Sequence, residues 1–164
     1  MPNTKIEYSS AKDELYEKIY SKVLYFISHK PRSEKEVTDK ISTLTQNEEI
    51  KEKITSDLMD KSYIGDVSYA EEYVREIIGS RKPCSKRKMK HFLFKKGVPR
   101  EVVTVAFNLI PPEFEYQNAL KEGKRKLNTI LGADSFTKKA KISDFLYKKG
   151  YPSSAVSRVI DTLS

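Results

Sequence analysis

The feature that most constrains this fold is an internal repeat with a period of about fifty residues. The segment HFLFKKGVPREVVTVAFNLI, which starts at His91, aligns without a gap on DFLYKKGYPSSAVSRVIDTLS, which starts at Asp144. A second echo aligns residues 30–33, KPRS, with residues 82–85, KPCS. A fixed period of this length is typical of tandem arrays in which each repeat packs on its neighbours. We therefore predict a loose amino terminus followed by three repeats, with the boundaries 1–10, 11–65, 66–112 and 113–164.

Each repeat is predicted to contain three helices, because its apolar residues recur with the helical period of about 3.6 residues. In the second repeat, Ser85 is a suitable N-cap for the second helix, and Gly97 can adopt the left-handed conformation that ends it. Pro99 suits the first turn of the third helix, and Gly150 with Pro152 repeats this pair in the third repeat. No segment alternates as a strand does. We therefore predict an all-α fold, a tandem array of three helix-turn-helix-like repeats, elongated and curved.

The apolar stripe of the third helix supports this alignment. It recurs between the second and third repeats as Val102, Val103, Ala106, Phe107 and Ile110, and then as Ala155, Val156, Val159, Ile160 and Leu163. In the first repeat, Ser33 and Asn47 are predicted to cap the second and third helices. In the third repeat, the first helix is predicted to extend to Leu131, before Gly132.

A cluster of aromatic residues surrounds the start of the second repeat. Asp66 is predicted to cap the helix that carries Ala70 on its apolar stripe. Tyr63, Tyr69 and Tyr73 could stack on nucleic-acid bases, but their helical spacing beside a turn favours packing in the core and between repeats.

The charge of the chain is unevenly distributed along the repeats. Residues 1–66 carry 11 basic and 13 acidic side chains, residues 67–112 carry 10 and 4, and residues 113–164 carry 10 and 6. The positive charge peaks in residues 81–96, the basic band, which contains no carboxylate. Such a band is either a contact surface for phosphate or acidic protein, or a solvated helix face. Its candidate contact residues are Arg81, Lys82, Lys86, Arg87, Lys88, Lys90 and Lys95.

Two details refine the prediction for the basic band. Arg87, Lys88 and Lys90 should face away from the apolar stripe, so reversing their charge should leave stability nearly unchanged. Phe94, with Tyr147 at the equivalent place in the third repeat, is either exposed for a partner or covered by a neighbouring repeat.

The third repeat offers a further set of basic residues. They could extend the contact surface or solvate a helix, because acidic residues are interspersed among them. The candidates are Lys124, Arg125, Lys138, Lys139, Lys141 and Lys148.

Catalytic constellations are missing from the sequence. The two histidines lack metal-ligand spacing, and there is no glycine-rich nucleotide-binding motif, so we expect neither a metal, nor a cofactor, nor an enzyme activity. Cys84 is the single cysteine, and we expect the basic residues around it to lower its pKa. No apolar run is long enough to cross a membrane, and the amino terminus lacks a signal sequence, so we expect a cytoplasmic protein. We also expect it to be a monomer.

Residues 62–74, SYIGDVSYAEEYV, are followed by a basic helix that ends in residues 95–98, KKGV. This arrangement resembles the signature of the RecX family, in which a glycine-tyrosine turn leads through Asp into Tyr-Ala-x-x-Tyr-Val and then to a Leu-x-x-Lys-Gly-Ile helix end. Two positions depart from it. Ser62 stands where the family usually has glycine, and Gly65 stands where it usually has an acidic residue or asparagine. The resemblance extends from about residue 15 to the end of the chain.

The resemblance implies a cytoplasmic regulator that binds in the groove of the RecA recombinase filament on DNA. Such a regulator inhibits ATP hydrolysis, strand exchange and coprotease activity, and so modulates recombination, DNA repair and the SOS response. The alternative is a tandem helix-turn-helix protein that acts directly on DNA. A recognition helix should begin with base-reading side chains, but only Arg100 follows Pro99, and only serines follow Pro152. We therefore expect at most weak, nonspecific DNA binding.

Overall fold

The structure, a computed structural model, describes the backbone of residues 4–163 and the side chains of residues 11–163. Within these residues the regular structure is helical and there is no strand, which confirms the predicted all-α class. The helices are α1 (Thr4–Ser28), α2 (Glu34–Leu44), α3 (Glu48–Asp60), α4 (Asp66–Gly79), α5 (Lys86–Lys95), α6 (Arg100–Ala106), α7 (Phe114–Leu127), α8 (Ser135–Lys149) and α9 (Ser153–Leu163). A single turn of 3-10 helix, Phe107–Leu109, follows α6.

The helices follow one another as three triplets, α1–α3, α4–α6 and α7–α9, as expected for three-helix repeats. The chain divides into two compact units. The amino-terminal unit contains Met1–Tyr69 and Lys96–Pro99, and the carboxyl-terminal unit contains Ala70–Lys95 and Arg100–Ser164. Of the segment 1–10, predicted to be loose, the first three residues and all the side chains lie outside the described residues, and α1 begins at Thr4. Its looseness stays a prediction.

The amino-terminal unit has its core between α1, α2 and α3. The buried side chains of the helices lie on one face of each, and Ile64 joins them from the segment between α3 and α4. They are Tyr16, Ile19, Tyr20, Val23, Val37, Ile41, Ile50, Ile54, Leu58 and Ile64. Ser33 and Asn47 cap α2 and α3 as predicted, and Ser33 also forms a capping box with Glu36.

The turn after α3 explains one departure from the RecX signature. Ser62 has φ +55°, the only non-glycine residue with positive φ among the described residues. The Ser62 amide donates to the Met59 carbonyl at 2.8 Å, and the Tyr63 amide donates to the Leu58 carbonyl at 2.9 Å. This pattern is a Schellman motif, in which the left-handed residue is normally glycine. The turn therefore keeps its geometry without the glycine.

Two predictions about this turn were wrong. Tyr63 is 56% exposed and does not belong to the core, because it follows the left-handed residue and leaves the helix surface. Asp66 does not cap α4. It is the first residue of α4, and its carboxylate accepts a hydrogen bond from the Glu34 amide of α2 at 3.0 Å. Tyr69 and Ala70 are buried as predicted.

In the carboxyl-terminal unit, α5 buries Met89 and Leu93, and Tyr73 of α4 stacks on Phe92 with the ring centroids 4.4 Å apart. The predicted left-handed helix ends are confirmed, with φ +83° at Gly97 in the amino-terminal unit and φ +95° at Gly150 in the carboxyl-terminal unit. Pro99 and Pro152 each lie one residue before the helix that they were predicted to begin.

The third triplet packs α7, α8 and α9 around its own core. Its buried residues include Ala119, Ile130, Ile142, Leu146, Tyr151, Ala155, Val156 and Val159. Gly123 of α7 is buried at the contact with α9, where an added Cβ would lie 2.9 Å from the Val159 Cγ1 atom. The prediction that the first helix extends to Leu131 was wrong. Helix α7 ends at Leu127, and Leu131 is 89% exposed.

Candidate partner-binding surface

Repeats are joined through a buried serine, and the first such joint lies in the amino-terminal unit. Ser33 is fully buried, and its hydroxyl donates to the Lys96 carbonyl at 2.6 Å. The same oxygen accepts the Glu36 amide at 3.3 Å, so one side chain caps α2 and binds the chain that leads into Gly97. Lys96 then forms an ion pair with Glu36, with the Lys96 Nζ atom 2.6 Å from the carboxylate. We call this group joint 1.

Joint 2 lies in the carboxyl-terminal unit and repeats the same bond. The buried Ser85 hydroxyl donates to the Lys149 carbonyl at 2.8 Å, beside Gly150, and it lies 3.4 Å from the Lys88 amide that it caps. The KPRS and KPCS echo therefore marks a helix start whose serine donates to the carbonyl before a left-handed glycine. The prediction that Ser85 caps its helix is confirmed, but the bond to Lys149 was missed.

Each joint also connects a helix amino terminus to an acidic side chain. In joint 1 the link is reciprocal, because the Asp66 amide donates to the Glu34 carboxylate at 3.0 Å and the Glu34 amide donates to Asp66. Burial raises the pKa of Asp66, while its hydrogen bond to the Glu34 amide acts in the opposite direction. In joint 2 the Lys86 amide donates to the Glu115 carboxylate at 3.2 Å.

The basic band is divided between structural and exposed side chains. Arg87 donates from Nη2 to the Tyr147 carbonyl at 3.1 Å, and lies 3.4 Å from the Lys148 carbonyl. This contact adds a side-chain donor to the last turn of α8, where the Tyr147 carbonyl also accepts the Gly150 amide at 3.0 Å. Because a glutamate would repel these carbonyls, the contact leads us to expect that charge reversal at Arg87 lowers stability; the effect of reversal stays a prediction.

The remaining basic side chains of the band are mostly open to solvent. Lys86 is half-buried, whereas the exposed members are Arg81, Lys82, Lys88, Lys90 and Lys95. On α5, Lys88 and Lys95 lie seven residues apart and therefore share one face of the helix. Phe94 is 42% exposed and Tyr147 is 46% exposed, so neither ring is fully covered by a repeat. The Lys90 ammonium lies 5.5 Å from the centroid of Phe94.

The basic residues of the third repeat surround two cavities in the carboxyl-terminal unit. Lys126, Lys141 and Lys148 line the larger cavity, of about 620 Å³, together with Asp144. Lys138 and Lys139 line the smaller one, of about 300 Å³. Lys124 and Arg125 are exposed in the last turn of α7, where positive charge interacts favourably with the helix dipole.

The environment of Cys84 differs from the prediction. The thiol is half-buried, and burial raises its pKa, although the nearby Lys88 acts in the opposite direction. Neighbouring basic residues in sequence therefore do not make this thiol acidic.

Comparison with known proteins agrees with this architecture. The family model described as the third three-helix domain of RecX matches residues 113–160. The chain is 30% identical over 146 residues to the regulatory protein RecX of Chlorobium limicola, with 85% of this chain and 86% of that relative covered. It is 33% identical over 153 residues to the regulatory protein RecX of Oceanobacillus iheyensis, where 93% of this chain matches 55% of the relative's length. The crystal structure of RecX from Lactobacillus salivarius has a TM-score of 0.84 and 26% identity, over 92% of this chain and 97% of that one.

The three helix triplets and the serine joints between them define a helical-repeat protein. The chain belongs to the RecX family of regulatory proteins. In the part of the chain that the structure describes, no helix combines the length and the apolar character that a membrane span requires.

Proposed function

We propose that this protein acts in the cytoplasm as a monomer that binds RecA recombinase filaments on DNA and inhibits their ATPase, strand-exchange and coprotease activities. The observation that carries the proposal is membership of the RecX family. The repeat boundaries 11–65, 66–112 and 113–164 are part of the same proposal, and the three helix triplets support them.

We place the main contact on the second and third repeats. Their net positive charge contrasts with the slight negative charge of the first, and a filament of protein around phosphates offers negative potential. Lys88, Lys90 and Lys95 are exposed on α5, whereas Arg87 is occupied at the end of α8. These three lysines are therefore better test positions than Arg87.

The test is inhibition of the single-stranded-DNA-dependent ATPase of RecA by the purified chain. The parent should inhibit, and the triple variant Lys88→Glu, Lys90→Glu, Lys95→Glu should lose most of that inhibition. The matched control is Lys18→Glu, Lys22→Glu, Lys30→Glu, which makes the same charge change at exposed positions in the first repeat.

The two triple variants separate two failures. If both inhibit as the parent does, charge does not determine the contact. If the parent leaves the ATPase unchanged at micromolar excess, the assignment of RecA as the partner is wrong.

Direct DNA binding is a second candidate function, and the exposed lysines of the basic band favour it. Lysine is suited to phosphate, and Arg100 is the single base-reading side chain at the start of α6 and α9, so binding should be weak and independent of sequence. Its affinity should fall steeply with salt, by a slope of about one for each phosphate contact. A footprint at a defined sequence that survives high salt would favour a transcription factor instead.

A further inference from the structure

The segment between α7 and α8 carries an unusual apolar surface. Leu131 is 89% exposed and Phe136 is 82% exposed. These are the highest exposed fractions among the bulky apolar side chains that the structure describes. Single exposed apolar residues are ordinary on protein surfaces, so exposure alone indicates no binding. Leu131, however, lies at the edge of the larger cavity of the third repeat.

This cavity is lined by apolar side chains, which we call its floor, and by charged side chains, which we call its rim. Ile130, Leu131 and Phe145 provide the apolar surface of this space, which is open to solvent and has a volume of about 620 Å³. Three lysines and a single carboxylate line the same space. The carboxylate of Asp144 is already paired with Lys148, with the Lys148 Nζ atom 2.7 Å away.

Two of the rim lysines therefore keep uncompensated charge. Among the described residues, neither Lys126 nor Lys141 forms an ion pair. Their ammonium groups flank an apolar floor, an arrangement complementary to a segment that presents carboxylates next to a bulky hydrophobic side chain.

We propose that this cavity is a docking site for an acidic peptide segment of a partner protein, anchored by an apolar side chain. The apolar side chain packs on Ile130, Leu131 and Phe145, while the carboxylates pair with Lys126 and Lys141. The proposal goes beyond RecA inhibition and does not require RecA to be the partner.

The aliphatic floor favours a peptide over a nucleic acid. Nonspecific binding of single strands uses aromatic rings on which bases stack, and Ile130 and Leu131 cannot serve in that way. Phe145 is the only ring that lines the cavity, and the ammonium groups of Lys126 and Lys149 lie 5.6 and 5.2 Å from its centroid. A single ring cannot stack successive bases along a strand, whereas it can contact one apolar side chain of a peptide.

A groove in the first repeat provides an internal contrast. It lies between α2 and α3, has a volume of about 510 Å³ and includes Met59, but Glu48, Glu52 and Asp60 line it. An acidic peptide should be repelled there. The sign of the rim charge, rather than the presence of an apolar cleft, should therefore determine where the peptide binds.

The experiment uses the full chain and a fluorescein-labelled peptide of about twelve residues, with a central Phe-Leu pair between blocks of Asp and Glu. Fluorescence anisotropy measures its Kd. Leu131→Ser and the double variant Lys126→Glu, Lys141→Glu should each raise the Kd by about tenfold or more. Because Leu131 is almost fully exposed, its substitution should not disturb folding, which keeps the test informative if the double variant folds poorly.

The matched controls are Met59→Ser for the apolar change, and Lys121→Glu with Lys124→Glu for the charge change on exposed positions of α7 outside the cavity. Both should leave the Kd within about twofold of the parent value. A peptide in which Ala replaces the Phe-Leu pair should bind more weakly than the original.

Three outcomes would overturn the proposal. The parent does not bind the peptide, or the charge control loses as much affinity as the cavity variant, which would indicate nonspecific attraction. Alternatively, Leu131→Ser weakens the binding of a single-stranded oligothymidylate as much as it weakens the binding of the peptide, which would indicate a nucleic-acid site.

Discussion

Joint 1 and joint 2 use the same hydrogen bond but different charges. In both, a buried serine donates to the carbonyl that precedes a left-handed glycine. In joint 1, Glu36 neutralises Lys96 across 2.6 Å. The equivalent of Glu36 at the repeat offset is Lys88, so Lys149 in joint 2 lies instead 3.7 Å from Glu122.

The residue next to Glu36 also has a different partner from its equivalent at joint 2. Lys35 of joint 1 pairs with Asp39 at 2.7 Å, whereas the equivalents in the second repeat are Arg87 and His91. Without a carboxylate one turn away, Arg87 binds the carbonyls at the end of α8. The serine and the glycine are therefore the common element of both joints, and the loss of carboxylates around joint 2 creates part of the basic band.

The largest expected effect tests this equivalence at two buried leucines of the carboxyl-terminal unit. Leu93 and Leu146 occupy equivalent positions and are both fully buried. Replacing either by alanine should lower the free energy of unfolding by about 2 to 5 kcal/mol, because each substitution leaves a cavity. Chemical denaturation measures the loss. A large loss at one position and almost none at the other would show that the repeats are not equivalent.

Replacing the two serines tests the hydrogen bond that both joints share. Ser33→Ala and Ser85→Ala should each cost about 1 to 3 kcal/mol, because each leaves a partly buried carbonyl and a helix amide without this partner. Thermal and urea unfolding should give similar losses for the two variants. Ser154→Ala, at an exposed position, is the control and should be nearly neutral. Unequal losses would mean that the surrounding charges, rather than the serine, determine the strength of a joint.

The ion pair of joint 1 should make it sensitive to acid. Burial raises the pKa of Glu36, but hydrogen bonds from Lys96 and the Ser33 amide, with the nearby positive charges, outweigh burial and lower it below its ordinary value of 4.5. Because the folded state favours the ionised form, Glu36 stabilises the fold above that ordinary value, and this contribution is lost as pH falls through the lowered pKa. Glu36→Gln should cost about 1 kcal/mol at neutral pH.

The measurement is the difference in stability between the parent and Glu36→Gln as a function of pH. It should shrink below about pH 4.5 as the parent's own carboxylate becomes protonated. Lys88→Gln in joint 2 is the comparison and should show no such pH-dependent difference. A difference that stays constant into acid would argue against the ion pair.

The smallest expected effect is an increase in the free energy of unfolding. Ser62 has the left-handed conformation that Gly97 and Gly150 adopt at the joints, but it carries a Cβ. Ser62→Gly should relieve this strain and stabilise the chain by roughly 0.5 to 1 kcal/mol, after the greater entropy of glycine in the unfolded state is deducted. The same denaturation assay measures it. A loss of stability would mean that the serine side chain compensates for its backbone conformation.

Local signals account for most of what the sequence predicted correctly. The caps at Ser33, Asn47 and Ser85, the left-handed ends at Gly97 and Gly150, and the apolar stripes all depend on residues within a few positions of one another. Helix ends and amphipathic faces are determined at that range.

The errors concern interactions between distant parts of the chain. Asp66 meets Glu34 across 32 residues, and Arg87 meets Tyr147 across 60. Neither spacing has a local pattern in the sequence. The end of α7 before Leu131 was missed because an apolar residue in helical register was assigned to the core.

Cys84 directly precedes Ser85, and its Sγ atom lies 3.6 Å from the Ser85 carbonyl, so the chain carries its own reporter of joint 2. Since only the thiolate reacts with alkylating reagents, and burial both shields this thiol and raises its pKa, modification at neutral pH should be slow in the folded chain. Its rate then follows the opening of the joint, because an opened segment exposes the sulfur and restores an ordinary thiol. As the single cysteine of the chain, it allows alkylation followed by intact-mass spectrometry to time that opening without an added label, with and without a bound partner.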